Sequence, residues 1–268
     1  MKKIFTFILS ALTISVIAQT QIPQGGFNNW TNSPQNDYSE PSGGWWTTLN
    51  SLVSLGAPVT VYPTSDAHSG EFAAQLETQM YGTLLLGGLL ASGNFINIDP
   101  FIELGRPFTD KPTKFKGWYK YLPVDGDSAA IAARLTKFNT STKQQDTIAQ
   151  AIKIITNNVS SYTQFEIPFN YLQAETNPDS ISIVFMSSAE SGNFLGSTGS
   201  TLILDDISLE YPAGLHELIS PELRVKAFPS PATDQLTLEF DNTQLKNLIC
   251  HIYSVNGSNG DETCFECL

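Results

Sequence analysis

The alternation of apolar and polar residues is most regular between Lys114 and Tyr121. The face predicted to be buried carries Phe115, Gly117, Tyr119 and Tyr121, and the opposite face carries Lys114, Lys116, Trp118 and Lys120. A period of two residues is typical of a β-strand with one face on the core and the other toward water. The segment therefore predicts a half-buried strand whose outer face presents an indole ring among lysines.

A second alternating segment spans residues 129–136 and follows a turn sequence at residues 125–127. Ile131 lies on its apolar face, and Arg134 lies on the other. Two alternating strands joined by a short turn predict an antiparallel hairpin. If the apolar face meets the core, Trp118 and Arg134 both stand on the outer face of that hairpin.

Several other short segments complete a pattern of strands. Residues 72–78 and 162–169 alternate, whereas residues 148–155 and 181–186 are apolar in both registers and are predicted as buried strands. Segments with a helical period are almost absent, and turn sequences separate the strands. The chain therefore predicts an all-β protein built as an antiparallel β-sandwich.

Aromatic and polar side chains are predicted on the outward faces of neighbouring strands. One ring of the Trp45–Trp46 pair should also face outward, and we assign that position to Trp46. Flat aromatic rings pack against the C–H faces of pyranose sugars, and polar side chains bond to sugar hydroxyls. The residues predicted to bind a poly- or oligosaccharide are Trp46, Trp118, Arg134, Tyr162, Gln164 and Glu166.

Net charge narrows the range of partners. The 268 residues include 26 acidic and 14 basic side chains, which gives a formal net charge of −12. Nucleic acids and anionic membrane surfaces require clustered Lys and Arg, so the charge argues against both. Polyanionic ligands are disfavoured unless a cation bridges them, whereas neutral sugars are compatible.

The first eighteen residues have the pattern of a secretory signal peptide. Lys2 and Lys3 precede an apolar run at residues 4–17, and Ala18 is a suitable residue before a cleavage site. The run is shorter than the roughly 20 apolar residues that span a bilayer, which disfavours a membrane anchor. We expect export through the inner membrane, to the periplasm, the cell surface or the medium.

Asp205 occupies an unusual position in the last alternating segment of the main domain. A strict period of two places it on the same face as Ile203, Ile207 and Leu209. A buried carboxylate is unfavourable unless it is hydrogen-bonded or bound to a metal. Two explanations stay open, namely a calcium ion with oxygen ligands and backbone N–H groups of a facing segment.

Six short motifs between about residues 27 and 211 resemble those of a known family. They are GWWTTLN at 44–50, PTSDAHSG at 63–70, LLASG at 89–93, GRPF at 105–108, GWYKY at 117–121 and GSTLILDD at 199–206. Together they resemble the putative carbohydrate metabolism domain of exported Bacteroidetes proteins. The resemblance implies a jelly-roll sandwich similar to carbohydrate-binding modules, and a structural calcium ion held by Asn28 and Asp205. It implies no established reaction.

The C-terminal region resembles a second family. Its motifs are VKAFPSPATDQLTL at 225–238 and IYSVNG at 252–257, which resemble the start of the sorting domain read by the type IX secretion system. This resemblance implies secretion machinery as a partner. The predicted division is a signal peptide at 1–18, the jelly-roll domain at 19–211, a linker at 212–222, a small partial sorting domain at 223–257 and an atypical tail at 258–268.

Three functions are compatible with these features. A non-catalytic glycan-binding module explains the outward aromatic and polar residues. A glycoside hydrolase or lyase would need two converging carboxylates, with Asp66, Glu77, Glu103 and Glu166 as candidates and His68 beside Asp66. A structural or adhesive surface protein would need neither. The sequence favours the first function, because no catalytic motif is present.

Overall fold

The computed structural model describes residues 20–35, 37–96, 102–191 and 195–212 in full, and the backbone of four strands beyond them. Contacts divide the chain into two units, Gln19–Pro212 and the combination of Met1–Ala18 with Ala213–Leu268. The predicted signal peptide and most of the predicted linker lie outside the described residues. Within the described parts, no helix is long and apolar enough to cross a membrane.

The unit Gln19–Pro212 is built almost entirely from short strands. They are β1 (Trp30–Asn32), β2 (Ser39–Pro41), β3 (Trp46–Thr48), β4 (Val61–Thr64), β5 (Ala73–Glu77), β6 (Gln79–Tyr81), β7 (Leu84–Leu86), β8 (Leu89–Phe95), β9 (Ile102–Leu104), β10 (Arg106–Pro107), β11 (Lys114–Leu122), β12 (Ala129–Asn139), β13 (Gln144–Ile155), β14 (Val159–Pro168), β15 (Asn170–Tyr171), β16 (Ser180–Met186) and β17 (Thr201–Glu210). A 3-10 helix, Asn50–Leu55, lies between β3 and β4.

Two antiparallel sheets form the sandwich. The five-stranded sheet has the order β14-β11-β17-β5-β4, and the eight-stranded sheet has the order β15-β13-β12-β16-β8-β3, with β9 beside β8 and β10 beside β16. Eight strands carry the pairing β5·β17, β8·β16, β11·β14 and β12·β13. Among these eight strands, the first in the chain (β5) therefore pairs with the last (β17), and the second (β8) pairs with the second-last (β16). The same nesting continues inward, as in a long hairpin that is folded into two sheets. This is jelly-roll topology, and the predicted all-β sandwich is confirmed.

The core lies between the two sheets. Phe115 of the five-stranded sheet packs against Phe165 beside it and Phe185 of the eight-stranded sheet, with ring centroids 5.3 and 6.0 Å apart. Burial alternates along β11 as the sequence predicts. A Cβ on Gly117 would come within 2.8 Å of the Phe165 ring, so glycine at this position lets that ring lie against the strand.

The predicted β11–β12 hairpin is wrong. β11 pairs with β14 and β17, whereas β12 pairs with β13 and β16 in the other sheet. The turn between them therefore carries the chain across the sandwich. Alternation indicates which face of a strand is buried, but it does not identify the partner strand. Trp118 and Arg134 both face outward, on opposite sides of the molecule.

Two strands predicted to be buried on both faces are buried on one. Along β13, Ile152 and Ile154 are 49% and 52% exposed. Along β16, burial alternates, with Ile183 and Phe185 inside and the residues between them half-buried. The error arises because the outer face of the eight-stranded sheet is itself rich in aliphatic side chains.

The C-terminal unit contains four described strands. They are β18 (Val225–Phe228), β19 (Thr237–Phe240), β20 (Leu248–Tyr253) and β21 (Asn259–Phe265), and they pair as β18·β19 and β20·β21 in antiparallel fashion. A small β unit is present, as expected. Its identity as a sorting domain stays a prediction.

Candidate functional site

Asp205 is buried on the outer side of the five-stranded sheet, beneath the corner formed by residues 64–70. Its Oδ2 accepts backbone N–H bonds from His68 at 2.8 Å and Ser69 at 3.0 Å, and its Oδ1 accepts one from Asp206 at 2.7 Å. Burial raises the pKa of the Asp205 carboxyl, and these bonds oppose that rise. Backbone N–H groups therefore explain the position of this carboxyl.

A β-bulge changes the face on which Asp205 lies. The pairing of β11 with β17 shifts between Lys116 and Trp118, and Asp206 has a φ of 49°. One extra residue reverses the alternation. Asp205 therefore lies opposite Trp118 on the outer face, whereas Ile207 packs in the core. The expectation that Asp205 shares a face with Ile207 and Leu209 is wrong.

The residues proposed for calcium do not fit a calcium site as arranged. Asn28 Oδ1 accepts N–H bonds from Glu71 at 2.6 Å and Phe72 at 3.2 Å, and both Asp205 oxygens also face N–H donors. Calcium takes six to eight oxygen ligands. In the fully described ranges, no group of three or more His, Cys, Asp or Glu residues could hold a metal ion.

Trp118 is covered on one side by the same corner. The His68 ring stacks on the indole with centroids 3.9 Å apart and an interplanar angle of 13°. His68 Nδ1 lies 2.7 Å from Asp206 Oδ2, and Ser69 Oγ donates to Asp206 Oδ1 at 2.7 Å. We call His68, Ser69, Trp118, Asp205 and Asp206 the clasp, because these residues fasten the corner to the sheet.

Tyr162 is also engaged by the corner. Its hydroxyl donates to the Asp66 carbonyl oxygen at 2.5 Å, and Lys120 Nζ lies 4.6 Å from its ring centroid. Lys120 Nζ donates to both carboxylate oxygens of Asp66, at 2.6 and 2.7 Å. Burial and the nearby carboxylates raise the pKa of Tyr162. These contacts leave the Tyr162 hydroxyl already bonded to the protein.

Glu166 belongs to a square of four charges on the same face. Lys114 Nζ lies 3.2 Å from Glu166 and 2.9 Å from Glu210, and Lys116 Nζ lies 3.2 and 3.0 Å from the same two carboxylates. Hydrogen bonds from the lysines lower the pKa of both glutamates. Gln164 is exposed nearby, in register with Trp118.

Trp46 is not on the surface. Its side chain is 2% exposed and packs against the rings of Phe27 and Phe185, and its Nε1 donates to the Pro23 carbonyl oxygen at 3.0 Å. The assignment of Trp46 as an outward, sugar-binding ring is therefore wrong. Adjacent strand residues point to opposite faces, and the partly buried Trp45 is the outer member of the pair.

Arg134 lies on the outer face of the eight-stranded sheet, in a groove of about 300 Å³. The lining residues are Leu104, Ala132, Ala133, Arg134, Thr136, Gln145, Ile152, Ser180, Ser182 and Val184. None of them is acidic. Arg134 is exposed, and the described ranges supply no hydrogen-bond or ion-pair partner for its guanidinium. The groove therefore combines aliphatic walls with unpaired polar groups.

Small residues create this groove. Ala132 of β12 is paired across the sheet with Ile152 of β13 and Val184 of β16, so its short side chain leaves space between larger ones. At one edge Gly105 has a φ of 114°, and a Cβ there would come 2.6 Å from Ser180 Oγ. Glycine thus lets the chain turn closely over the serines. Sequence reasoning missed the groove because its residues come from strands that alternation could not place side by side.

Three of the four carboxylates considered for hydrolysis are bound by other side chains of the protein, and the fourth, Glu103, is exposed. Asp66 is bound by Lys120, Glu77 accepts bonds from Tyr62 and Gln79, and Glu166 lies in the charge square. Burial raises the pKa of Glu40 to about 7, as expected of a general acid. Glu40 Oε1 accepts a bond from Thr48 at 2.6 Å, however, and Glu40 does not line the groove.

The fold is an antiparallel jelly roll with a groove on the outer face of its eight-stranded sheet. The chain belongs to the family described as "Putative carbohydrate metabolism domain", whose model matches residues 24–210. The family resemblance inferred from the sequence motifs is thereby confirmed for this domain. No curated protein matches the chain.

Two solved structures share the fold. One, described as a putative glycoside hydrolase from Bacteroides thetaiotaomicron, has 21% identity and a TM-score of 0.61, over 70% of this chain and 71% of that one. Another, with the same description, comes from Bacteroides vulgatus and has 23% identity and a TM-score of 0.59, over 71% of this chain and 97% of that one. At these identities the likeness establishes the fold.

Proposed function

We propose that this chain is a non-catalytic glycan-binding module that takes part in carbohydrate recognition or polysaccharide utilisation. The groove on the eight-stranded sheet is the observation that carries the proposal. Its volume of about 300 Å³ is at the lower end of the roughly 300–1,000 Å³ typical of ligand sites. Membership of a carbohydrate-related family supports a saccharide as the occupant.

The chemistry of the groove suits a sugar. Leu104, Ile152 and Val184 offer aliphatic surface to the C–H faces of a pyranose ring. Arg134 and Ser182 offer hydrogen bonds to its hydroxyls. The clasp face is a weaker candidate for the saccharide, because His68 covers one side of Trp118 and Tyr162 is bonded to Asp66.

Filling the groove tests the proposal. Ala132→Phe should abolish retention on a glycan array and leave the far-ultraviolet circular dichroism unchanged. Ser182→Phe is a second variant in case the first does not fold. Trp118→Ala, on the opposite face, is the matched control and should keep binding. If both groove variants fold and still bind the glycan, whereas Trp118→Ala does not bind it, the binding site lies on the clasp face.

The wild-type protein and the groove variants also distinguish binding from hydrolysis. Carboxylates are absent from the groove lining, so the wild-type protein should release no reducing sugar from any glycan that it retains. If the wild-type protein releases reducing sugar and Ala132→Phe does not, the assignment as a non-catalytic module is wrong. The signal peptide predicted at residues 1–18 supports export. Intact-mass measurement of secreted protein, which should begin at Gln19, tests that location.

A further inference from the structure

We propose that the groove selects a glycan that carries a single carboxylate, as a uronic acid does, and that Arg134 binds that group. This inference rests on the proposed function and names its ligand class. Its basis is the difference between the environment of Arg134 and those of the cations on the opposite face.

The neighbours of Arg134 on the sheet are all uncharged. Arg134 is in register with Gln150 of β13 and Ser182 of β16, and Ala132 and Thr136 precede and follow it on the outer face of β12. The remaining groove residues include neither an acidic nor a second basic side chain. The guanidinium therefore stands alone in a concave, largely aliphatic setting.

The lysines on the opposite face are paired. Lys114 and Lys116 each contact two carboxylates, Lys120 binds Asp66, and Arg106 donates to Trp45 O and Asn94 Oδ1 at 3.0 and 2.9 Å. Three lysines outside the groove, at positions 137, 143 and 153, show no ion pair in the described ranges. Arg134 differs from them because it lies in a groove whose lining supplies no carboxylate, which leaves the position for a ligand carboxylate.

Arginine suits this role better than lysine. Its planar guanidinium forms two parallel hydrogen bonds to a carboxylate, which fixes the orientation of the sugar as well as attracting it. Because the groove has one cation and the protein carries a charge of −12, a dense polyanion would be repelled by the remaining surface. The preferred glycan therefore carries an isolated uronic acid among neutral sugars.

The test compares uronate-bearing glycans with their carboxyl-reduced forms on one array. Wild-type protein should favour the uronate forms by about fivefold, the size expected for a partly exposed ion pair of about 1 kcal/mol. Arg134→Gln should bind the uronate and reduced forms equally, and more weakly than wild type binds the uronate forms, because the guanidinium also bonds to sugar hydroxyls. Arg134→Lys should retain part of the preference. The preference should also shrink at 0.5 M NaCl.

The outcomes distinguish this inference from the proposed function. Equal binding of uronate and reduced forms by wild-type protein, or an undiminished preference in Arg134→Gln, overturns the role of Arg134 but leaves a glycan-binding groove. Stronger binding to sulfated glycans or to oligogalacturonates than to isolated uronates would overturn the ligand class. Binding that survives in both Ala132→Phe and Ser182→Phe overturns the groove itself.

Discussion

The two outer faces of the sandwich differ in how their polar groups are used. On the five-stranded sheet, polar and charged side chains bind one another, as in Lys120 with Asp66 and His68 with Asp206. On the eight-stranded sheet, Arg134 stands unpaired among the described residues, in a groove with aliphatic walls. Polar groups that satisfy each other hold loops in place, whereas unsatisfied groups are available to a ligand.

The contrast also concerns aromatic rings. An outward tryptophan in a β-sandwich is a common reason to expect a sugar platform. Trp118 does face outward, but the imidazole of His68 already stacks on one side of its indole. The clasp face therefore combines aromatic and polar side chains with contacts inside the protein, whereas the groove face combines a concave surface with fewer aromatic and charged side chains.

The largest expected difference between the faces is in stability. Asp205→Ala removes the acceptor for the N–H groups of His68, Ser69 and Asp206 in a buried position. We expect a loss of about 3 kcal/mol in the free energy of unfolding, measured by urea denaturation. Arg134→Ala on the other face should change it by less than about 0.5 kcal/mol.

A graded control strengthens that comparison. Asp205→Asn keeps one acceptor oxygen and should lose less stability than Asp205→Ala, because fewer N–H groups are left without a partner. The comparison of faces breaks down if Arg134→Ala is as destabilising as Asp205→Ala, since Arg134 would then have a structural role.

The second difference concerns large side chains. Trp118→Ala removes an indole packed against His68, and we expect a loss of about 2 kcal/mol, below the value for a fully buried aromatic ring. Ile152→Ala is the matched change on the groove face and should lose roughly 0.5 kcal/mol, because half of that side chain is already exposed. Urea denaturation of both variants measures these losses in the free energy of unfolding. Equal losses would mean that the side chains of the groove wall also stabilise the fold.

Alternation predicted much of the sandwich. The buried set of β11 and the outward positions of Trp118, Tyr162 and Arg134 follow from a period of two residues. Alternation did not predict which strands pair with one another, because a jelly roll pairs segments that are far apart in the chain. For example, β8 pairs with β16 although Leu90 and its partner Phe185 are 95 positions apart in the chain. No pattern within either segment indicates that these two strands are neighbours.

The site was harder to predict than the fold. A single extra residue at the bulge near Asp206 reversed the face of Asp205, and nothing in the alternation marks such an insertion. Trp46 was misplaced because either ring of a tryptophan pair can be the buried one. The groove escaped notice because it depends on Ala132 lying beside Ile152 and Val184, which requires the sheet order.

The smallest expected effect concerns the exposed charge square and its dependence on pH. Lys114 and Lys116 hold the pKa of Glu166 and Glu210 below the ordinary value of 4.5. A folded-state pKa that is lowered stabilises the protein at pH values above 4.5, and this contribution is lost as the pH falls through the lowered value. Glu166→Gln should therefore unfold at a slightly lower urea concentration than wild type at pH 7, with the difference vanishing once the pH has fallen below the lowered pKa of Glu166.

Salt provides the control for that prediction, since exposed ion pairs are screened. The difference between Glu166→Gln and wild type at pH 7 should shrink in 1 M NaCl. Glu103→Gln changes an exposed glutamate for which the described ranges show no ion pair, so its effect on unfolding should not depend on salt. If Glu103→Gln and Glu166→Gln respond alike to pH and salt, the charge square contributes no specific stabilisation. The pairing that distinguishes this face then rests on the clasp and on the Lys120–Asp66 ion pair.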